Sequence, residues 1–181
     1  MKLNGNSLKK ALFIDRDGVI NHSIVYKKKP FAPRLFEELK IISGVEKALI
    51  KSRTFGFLNI IISNQPDLSN KLISFEESNK INSFLRKTLC IDNIYICPHN
   101  NDDKCICRKP KPGLILKAAK DLKIDIKKSY MIGDRWKDIA AGELAGCVKC
   151  FFIDYGYNEP KPSGPYTLIK SLNDAVNNII D

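Results

Sequence analysis

Two kinds of apolar stretch alternate along this chain. Lys10–Asp15 (KALFID), Phe57–Ser63 (FLNIIIS), Asn93–Ile96, Ser129–Gly133 (SYMIG) and Val148–Asp154 are short, nearly unbroken apolar runs, the pattern of strands buried on both faces. Between them, apolar residues recur at helical spacing. Val45–Thr54 puts Val45, Ala48 and Leu49 on one face, and Ser74–Leu89 repeats Ile81, Phe84, Leu85 and Leu89. Ser74-x-x-Glu77 predicts a capping box at the start of that second helix. Gly113–Leu122 reads as a helix introduced by Pro112, Trp136–Leu144 as one stopped near Gly146, and Ser171–Ile180 as a closing helix capped by Ser171-x-x-Asp174.

Strands alternating with helices predict an α/β fold, a three-layer, Rossmann-like parallel sheet flanked by helices, with no large cap domain. No internal repeat or linker divides the chain, so residues 1–181 are expected to form one domain. In such a sheet the site lies beyond the carboxyl ends of the strands. The residues to inspect therefore follow Ile14, Ile62, Ile96 and Ile132.

Composition narrows the class. Hydrophobic residues make up 44% of the chain and charged residues 28%, which excludes intrinsic disorder. No apolar run approaches the ~20 residues of a membrane span, so no membrane partner is expected. The stretch MKLNGNSLKKALFID does not read as a signal peptide, because its only apolar segment meets Asp15 at once. The expected location is the cytoplasm. Thirty Lys+Arg against twenty Asp+Glu leave a net charge of +10, which suits an acidic partner, a phosphorylated small molecule or nucleic acid, or else a solvated basic surface.

The strand ends carry the candidate chemistry. The first closes on Asp15-Arg16-Asp17-Gly18, two carboxylates that suit a nucleophile or metal ligand and a proton-transfer group, unless they form a plain Asx turn. The second closes on Ser63-Asn64-Gln65, a hydroxyl and two amides able to donate to phosphoryl oxygens. The fourth closes on Gly133-Asp134-Arg135, with Asp138 beyond. Asp134 offers a hard oxygen ligand for Mg²⁺, or a helix N-cap. Arg108-Lys109-Pro110-Lys111-Pro112-Gly113 places cations in a proline-stiffened loop before a helix.

Of six cysteines, three crowd with a histidine into CPHNNDDKCIC. Cys97-x-His99 and Cys105-x-Cys107 offer three thiolates and one imidazole, separated by five residues, enough for a loop to close round a tetrahedral Zn²⁺. With all four positions taken by protein, the zinc would be structural and would fix residues 97–107, the loop that leads into Arg108 and Lys109. Cys147 and Cys150, formally C-x-x-C, start an apolar strand and read as core residues.

In combination these motifs resemble the haloacid dehalogenase superfamily of aspartate-nucleophile phosphatases: FIDRDGVIN its first motif, IISNQ its second, RKPKPG its third and MIGDRWKDIAAGELAG its fourth. The zinc loop resembles the branch that holds the D-glycero-D-manno-heptose 1,7-bisphosphate 7-phosphatases and the histidinol-phosphate phosphatases. The resemblance implies Asp15 as nucleophile, Asp17 as acid and base, and Ser63 and Lys109 as holders of the transferring phosphoryl group. It implies Asn64, Gln65, Arg108 and Arg135 as substrate contacts, and Mg²⁺ held by Asp15, the Asp17 carbonyl and Asp134. It supports Cys97, His99, Cys105 and Cys107 as the zinc ligands.

The leading expectation is a Mg²⁺-dependent phosphatase of a small phosphorylated sugar, heptose 1,7-bisphosphate first and histidinol phosphate second. A polynucleotide 3′-phosphatase is a further class, but no nucleic acid is expected, because the zinc loop and the lack of an evident stacking platform argue against it. A monomer is expected. Two loops depart from the family pattern. Pro66-Asp67-Leu68-Ser69-Asn70-Lys71 replaces a Ser-Gly pair and an arginine, and residues 22–29 lack the common Asp-x-Gly-Tyr. Lys27, Lys28, Lys29 and Arg34 are expected to join Arg108 at the mouth and meet a second phosphate.

Overall fold

A computed structural model describes residues 8–180; the stretch read for a signal lies, over 1–7, outside them. The elements run β1 (Lys10–Ile14), β2 (Ile24–Tyr26), β3 (Lys29–Phe31), α1 (Val45–Thr54), β4 (Phe57–Asn64), α2 (Phe75–Thr88), β5 (Asn93–Cys97), α3 (Gly113–Leu122), β6 (Tyr130–Gly133), α4 (Trp136–Ala145), β7 (Lys149–Ile153), β8 (Thr167–Ile169) and α5 (Leu172–Ile180). Six strands form one sheet in the order β5-β4-β1-β6-β7-β8. Every pairing is parallel, with Ile14 opposite Ile61 on one side and Ile132 on the other.

The apolar runs are continuous because both faces of the sheet are covered. Leu12, Ile14 and Ile61 point into a core with α1, α2 and α5, through Ala48, Leu49, Ile81, Leu85 and Val176. Ala11, Phe13, Ile60 and Ile62 point the other way, against Leu114, Ile115, Ala118 and Ile139 of α3 and α4. β1 is therefore central on every side. Its carboxyl end lies between those of β4 and β6, which sets Asp15 among the loops that follow all three. No helix among the described residues is long and apolar enough to cross a membrane.

The predicted elements are present within one or two residues. Three strands were not predicted. β2 and β3 form an antiparallel hairpin between β1 and α1, with Ile24, Val25, Tyr26 and Phe31 exposed. A three-residue strand solvated on both sides has no alternation to read. β8 is an edge strand that follows a Pro- and Gly-rich segment. The expected capping box at α2 is only half made. Ser74 Oγ accepts from the Glu77 N–H at 3.0 Å, but the Glu77 carboxylate accepts from the Phe36 N–H at 2.6 Å. A tertiary donor outcompetes the local one.

Candidate active site

The loops after β1, β4 and β6 and the segment before α3 converge on one buried charge cluster. Lys109 Nζ lies 2.7 Å from Asp15 Oδ1 and 2.6 Å from Asp138 Oδ1, and it donates to the Ile62 carbonyl at 2.7 Å. Burial alone would lower the lysine pKa, but the two carboxylates outweigh it, Asp138 more than Asp15, and hold it above its ordinary value. Asp138 also accepts from the Arg135 N–H at 2.9 Å and so caps α4. Gly133 is what lets it approach: a Cβ there would sit 2.2 Å from Asp138 Cβ.

Asp134 is the anomaly. It is 2% exposed, and neither carboxylate oxygen has a hydrogen-bond partner of good geometry, although the Tyr157 hydroxyl lies near enough to favour its charged form. It is not a helix N-cap, the alternative left open above, because Arg135 occupies that position. Gly18, at φ +95°, closes over it, and a Cβ at residue 18 would lie 1.9 Å from Asp134 Oδ2. Carboxylate oxygens of Asp15, Asp134 and Asp138 all lie within 4.8 Å of one another. Burial, then the charge of Asp138, pushes Asp15 up to about 7 against the pull of Lys109. Burial, then Asp15 and Asp138, raises Asp134 well above the ordinary carboxylate range. Two unsatisfied buried oxygens beside a second carboxylate suit a hard divalent cation, and Mg²⁺ fits this donor set.

The other expected residues fall around the cluster. Ser63 Oγ accepts from Gln65 Nε2 at 2.8 Å, so its own hydrogen remains free to donate. Gln65 also donates to Asp17 at 2.7 Å. Asn64 exchanges two hydrogen bonds with the Lys109 backbone, at 3.0 and 3.1 Å, and pins the lysine's segment to the end of β4. Asn64 lines the cleft, whereas Gln65 is buried and faces Asp17. Arg108 reaches the cleft from a support on the cysteine loop, donating to Asn101 Oδ1 at 2.8 Å and to the His99 carbonyl at 3.0 Å. Arg135 lines the cleft too, but Glu159 pairs with its guanidinium through both carboxylate oxygens.

The expectation for residues 27–34 needs correction. The hairpin residues that line the cleft are Pro30, Phe31 and Ala32, an apolar wall. Lys27 and Lys28 form the exposed hairpin tip at positive φ, and Arg34 is paired with Asp67 at 2.7 Å. The remaining cation at the mouth is Lys137, at the start of α4, which the sequence reading missed. Burial, then repulsion by Arg135 and Arg108, lowers its pKa. Arg108 and Lys137 thus crowd together with no carboxylate partner seen among the described residues.

At the cysteine loop, Cys97 Sγ lies 3.7 Å from Cys105 Sγ and 3.2 Å from Cys107 Sγ, and His99 Nδ1 lies 3.5 Å from Cys97 and 3.3 Å from Cys107. A tetrahedral ion with Zn–S near 2.3 Å has S···S edges of about 3.8 Å, so the four groups already sit near that geometry. Burial raises the Cys97 pKa, and a bound cation would displace that proton. Cys150 is buried in β7, as expected of a core residue, and burial pushes its thiol up to about 12.

Comparison with known proteins adds a family. Residues 106–175 match the HAD-hydrolase-like family model. A D-glycero-alpha-D-manno-heptose-1,7-bisphosphate 7-phosphatase of Photorhabdus laumondii is 36% identical over 175 residues, covering 90% of this chain and 92% of that protein. A D-glycero-beta-D-manno-heptose-1,7-bisphosphate 7-phosphatase of Helicobacter pylori is 34% identical over 139 residues, 74% and 76% of the two chains. The same fold occurs in the crystal structure of a D,D-heptose 1,7-bisphosphate phosphatase from B. bronchiseptica complexed with magnesium and phosphate. Its TM-score is 0.78 at 24% identity, over 94% of this chain and 98% of that one.

Proposed function

The chain belongs to the haloacid-dehalogenase-like hydrolases, among the heptose-bisphosphate phosphatases, and from that membership we propose that it removes the 7-phosphate of D-glycero-D-manno-heptose 1,7-bisphosphate. The observation that carries the chemistry is the buried pair Asp15 and Asp134, one bridged by Lys109 to Asp138 and the other with both oxygens unpartnered.

Asp15, Asp134 and the Asp17 carbonyl are the groups that would hold Mg²⁺. Bound there, the ion supplies the positive charge that lets an anionic carboxylate approach an anionic phosphoryl group. An Asp15 carboxylate oxygen attacks phosphorus, and the bond from phosphorus to the sugar oxygen breaks, giving an aspartyl phosphate. Asp17 gives its proton to the departing sugar oxygen. Asp17 then takes a proton from water as that water attacks the aspartyl phosphate, releasing phosphate and restoring Asp15. Lys109 and the Ser63 hydroxyl hold the phosphoryl oxygens throughout.

Arg108 and Lys137 meet the second phosphate at the mouth, against the apolar hairpin wall. The Cys97, His99, Cys105 and Cys107 cluster would hold a structural Zn²⁺, which would keep the support of Arg108 in place. The test is turnover with Mg²⁺ of both anomers of the heptose 1,7-bisphosphate, histidinol phosphate and a 3′-phosphorylated oligonucleotide. A clear preference for a heptose bisphosphate is expected. A preference for either other substrate would overturn the assignment.

A further inference from the structure

Arg16 is the largest fully buried side chain among the described residues, at 0% exposure. A cation so placed needs a strong reason, because an unpaired buried charge is costly. Its carboxylate partner is Asp17, the neighbouring residue. Nε and Nη2 donate to Asp17 Oδ1 and Oδ2, each at 3.1 Å, as a two-pronged fork. The third nitrogen, Nη1, donates to Asn82 Oδ1 on α2 at 3.2 Å. Asn21 Nδ2 adds a bond to Oδ1 at 2.9 Å and Gln65 Nε2 one to Oδ2 at 2.7 Å.

A carboxylate has roughly four lone-pair sites, and four donors fill them. The donors are not equivalent. The amides of Asn21 and Gln65 carry an acceptor as well as a donor end, so they can rearrange when Asp17 gains or loses a proton. The guanidinium is donor-only and rigid, so it cannot. Its fork fixes the plane of the carboxylate, and Asn82 fixes the fork. The chain of support runs from a surface helix to the carboxylate read above as the proton donor.

We propose that Arg16, held by Asn82, is the positioning residue for Asp17 and sets where its proton is delivered. This rests on the reading of Asp17 as proton donor to the sugar oxygen. The signature is a dependence on the leaving group. A sugar alkoxide departs poorly without a proton, whereas p-nitrophenolate departs without help. kcat/KM is the quantity to compare, because it covers the steps up to loss of the leaving group and is blind to later hydrolysis of the aspartyl phosphate.

The experiment measures kcat/KM for heptose 1,7-bisphosphate and for p-nitrophenyl phosphate with Mg²⁺, in wild type, Arg16→Lys, Asn82→Ala and Asp17→Asn. Arg16→Lys keeps the charge and loses the fork. Its kcat/KM for the sugar phosphate should fall on the order of 10²-fold, at least about tenfold more than for the aryl phosphate. Asn82→Ala, at a half-buried position on α2, should shift the ratio the same way by less, and it decides the matter if Arg16→Lys does not fold. Equal losses on both substrates would mark a merely structural role and overturn the proposal. If Asp17→Asn discriminates between the substrates and neither other variant does, only the role of Arg16 falls. If Asp17→Asn itself does not discriminate, the reading of Asp17 falls and takes this one with it.

Discussion

The buried carboxylates make stability depend on pH and on Mg²⁺ in a linked way. In the metal-free protein, Asp15 titrates at about 7 rather than at its ordinary 3.8. Between those values the unfolded chain has released the proton and the folded chain still holds it. Folding stability must therefore fall as pH rises through this window, and above about pH 7 the loss is complete. The gap between those two values corresponds to on the order of 4 kcal/mol for Asp15, and Asp134 acts in the same direction. Held by the ionised carboxylates as proposed, Mg²⁺ should flatten this slope and add about 2.7 kcal/mol at a hundred times its dissociation constant. The assay is urea unfolding from about pH 5 to 8, with Mg²⁺ present or removed by dialysis, since a chelator would also attack the cysteine cluster. With an m-value near 2 kcal/mol/M, the metal-free midpoint should drop by about 0.7 M per pH unit below neutrality. Asp134→Asn, which removes one buried charge, should weaken both the slope and the Mg²⁺ effect. A metal-free midpoint that is flat or rises with pH, or slopes that are the same with and without Mg²⁺, would refute the electrostatic account of the site.

Three further outcomes are expected. Asp15→Asn should abolish turnover, because an amide oxygen is a poor nucleophile, while unfolding remains cooperative because the Oδ1 contact to Lys109 survives; phosphate-release rates near wild type would rule out Asp15 as nucleophile. Protein purified without added zinc should carry one Zn²⁺ per chain by metal analysis, and Cys105→Ser should lose it and lower activity through a loosened Arg108. Arg108→Ala should cost kcat/KM for the 1,7-bisphosphate about 1.5–3 kcal/mol, roughly 10- to 150-fold, with little change for the 7-monophosphate, and equal losses would show that Arg108 does not read the second phosphate.

Some of this was legible because its encoding is short-range. The parallel sheet follows from apolar runs such as FLNIIIS, whose lack of alternation means burial on both faces. The position of the site follows from the rule for strand ends, and the clustering of Cys97, His99, Cys105 and Cys107 from C-x-H and C-x-C, where spacing brings four groups that could hold a metal into reach. Asp15, Ser63, Lys109 and Asp134 were found as a set for the same reason: each sits at a strand end or in the loop that crosses it.

The partners of the charged groups were not legible. Nothing near Arg135 in sequence announces that Glu159, 24 residues away, neutralises it. Nothing in KKKP says that the lysines turn outward at a hairpin tip while Pro30 and Phe31 form the wall. The register of the hairpin decides that. Arg16 was visible inside the DRDG motif, but its burial and its anchor on Asn82, 66 residues away, exist only once α2 has packed on the sheet. Hydrophobic periodicity and ligand spacing are properties of neighbouring residues, so they can be read along the chain. Whether a charge is free, neutralised or harnessed depends on which side chain is folded against it, and only the tertiary structure makes that choice.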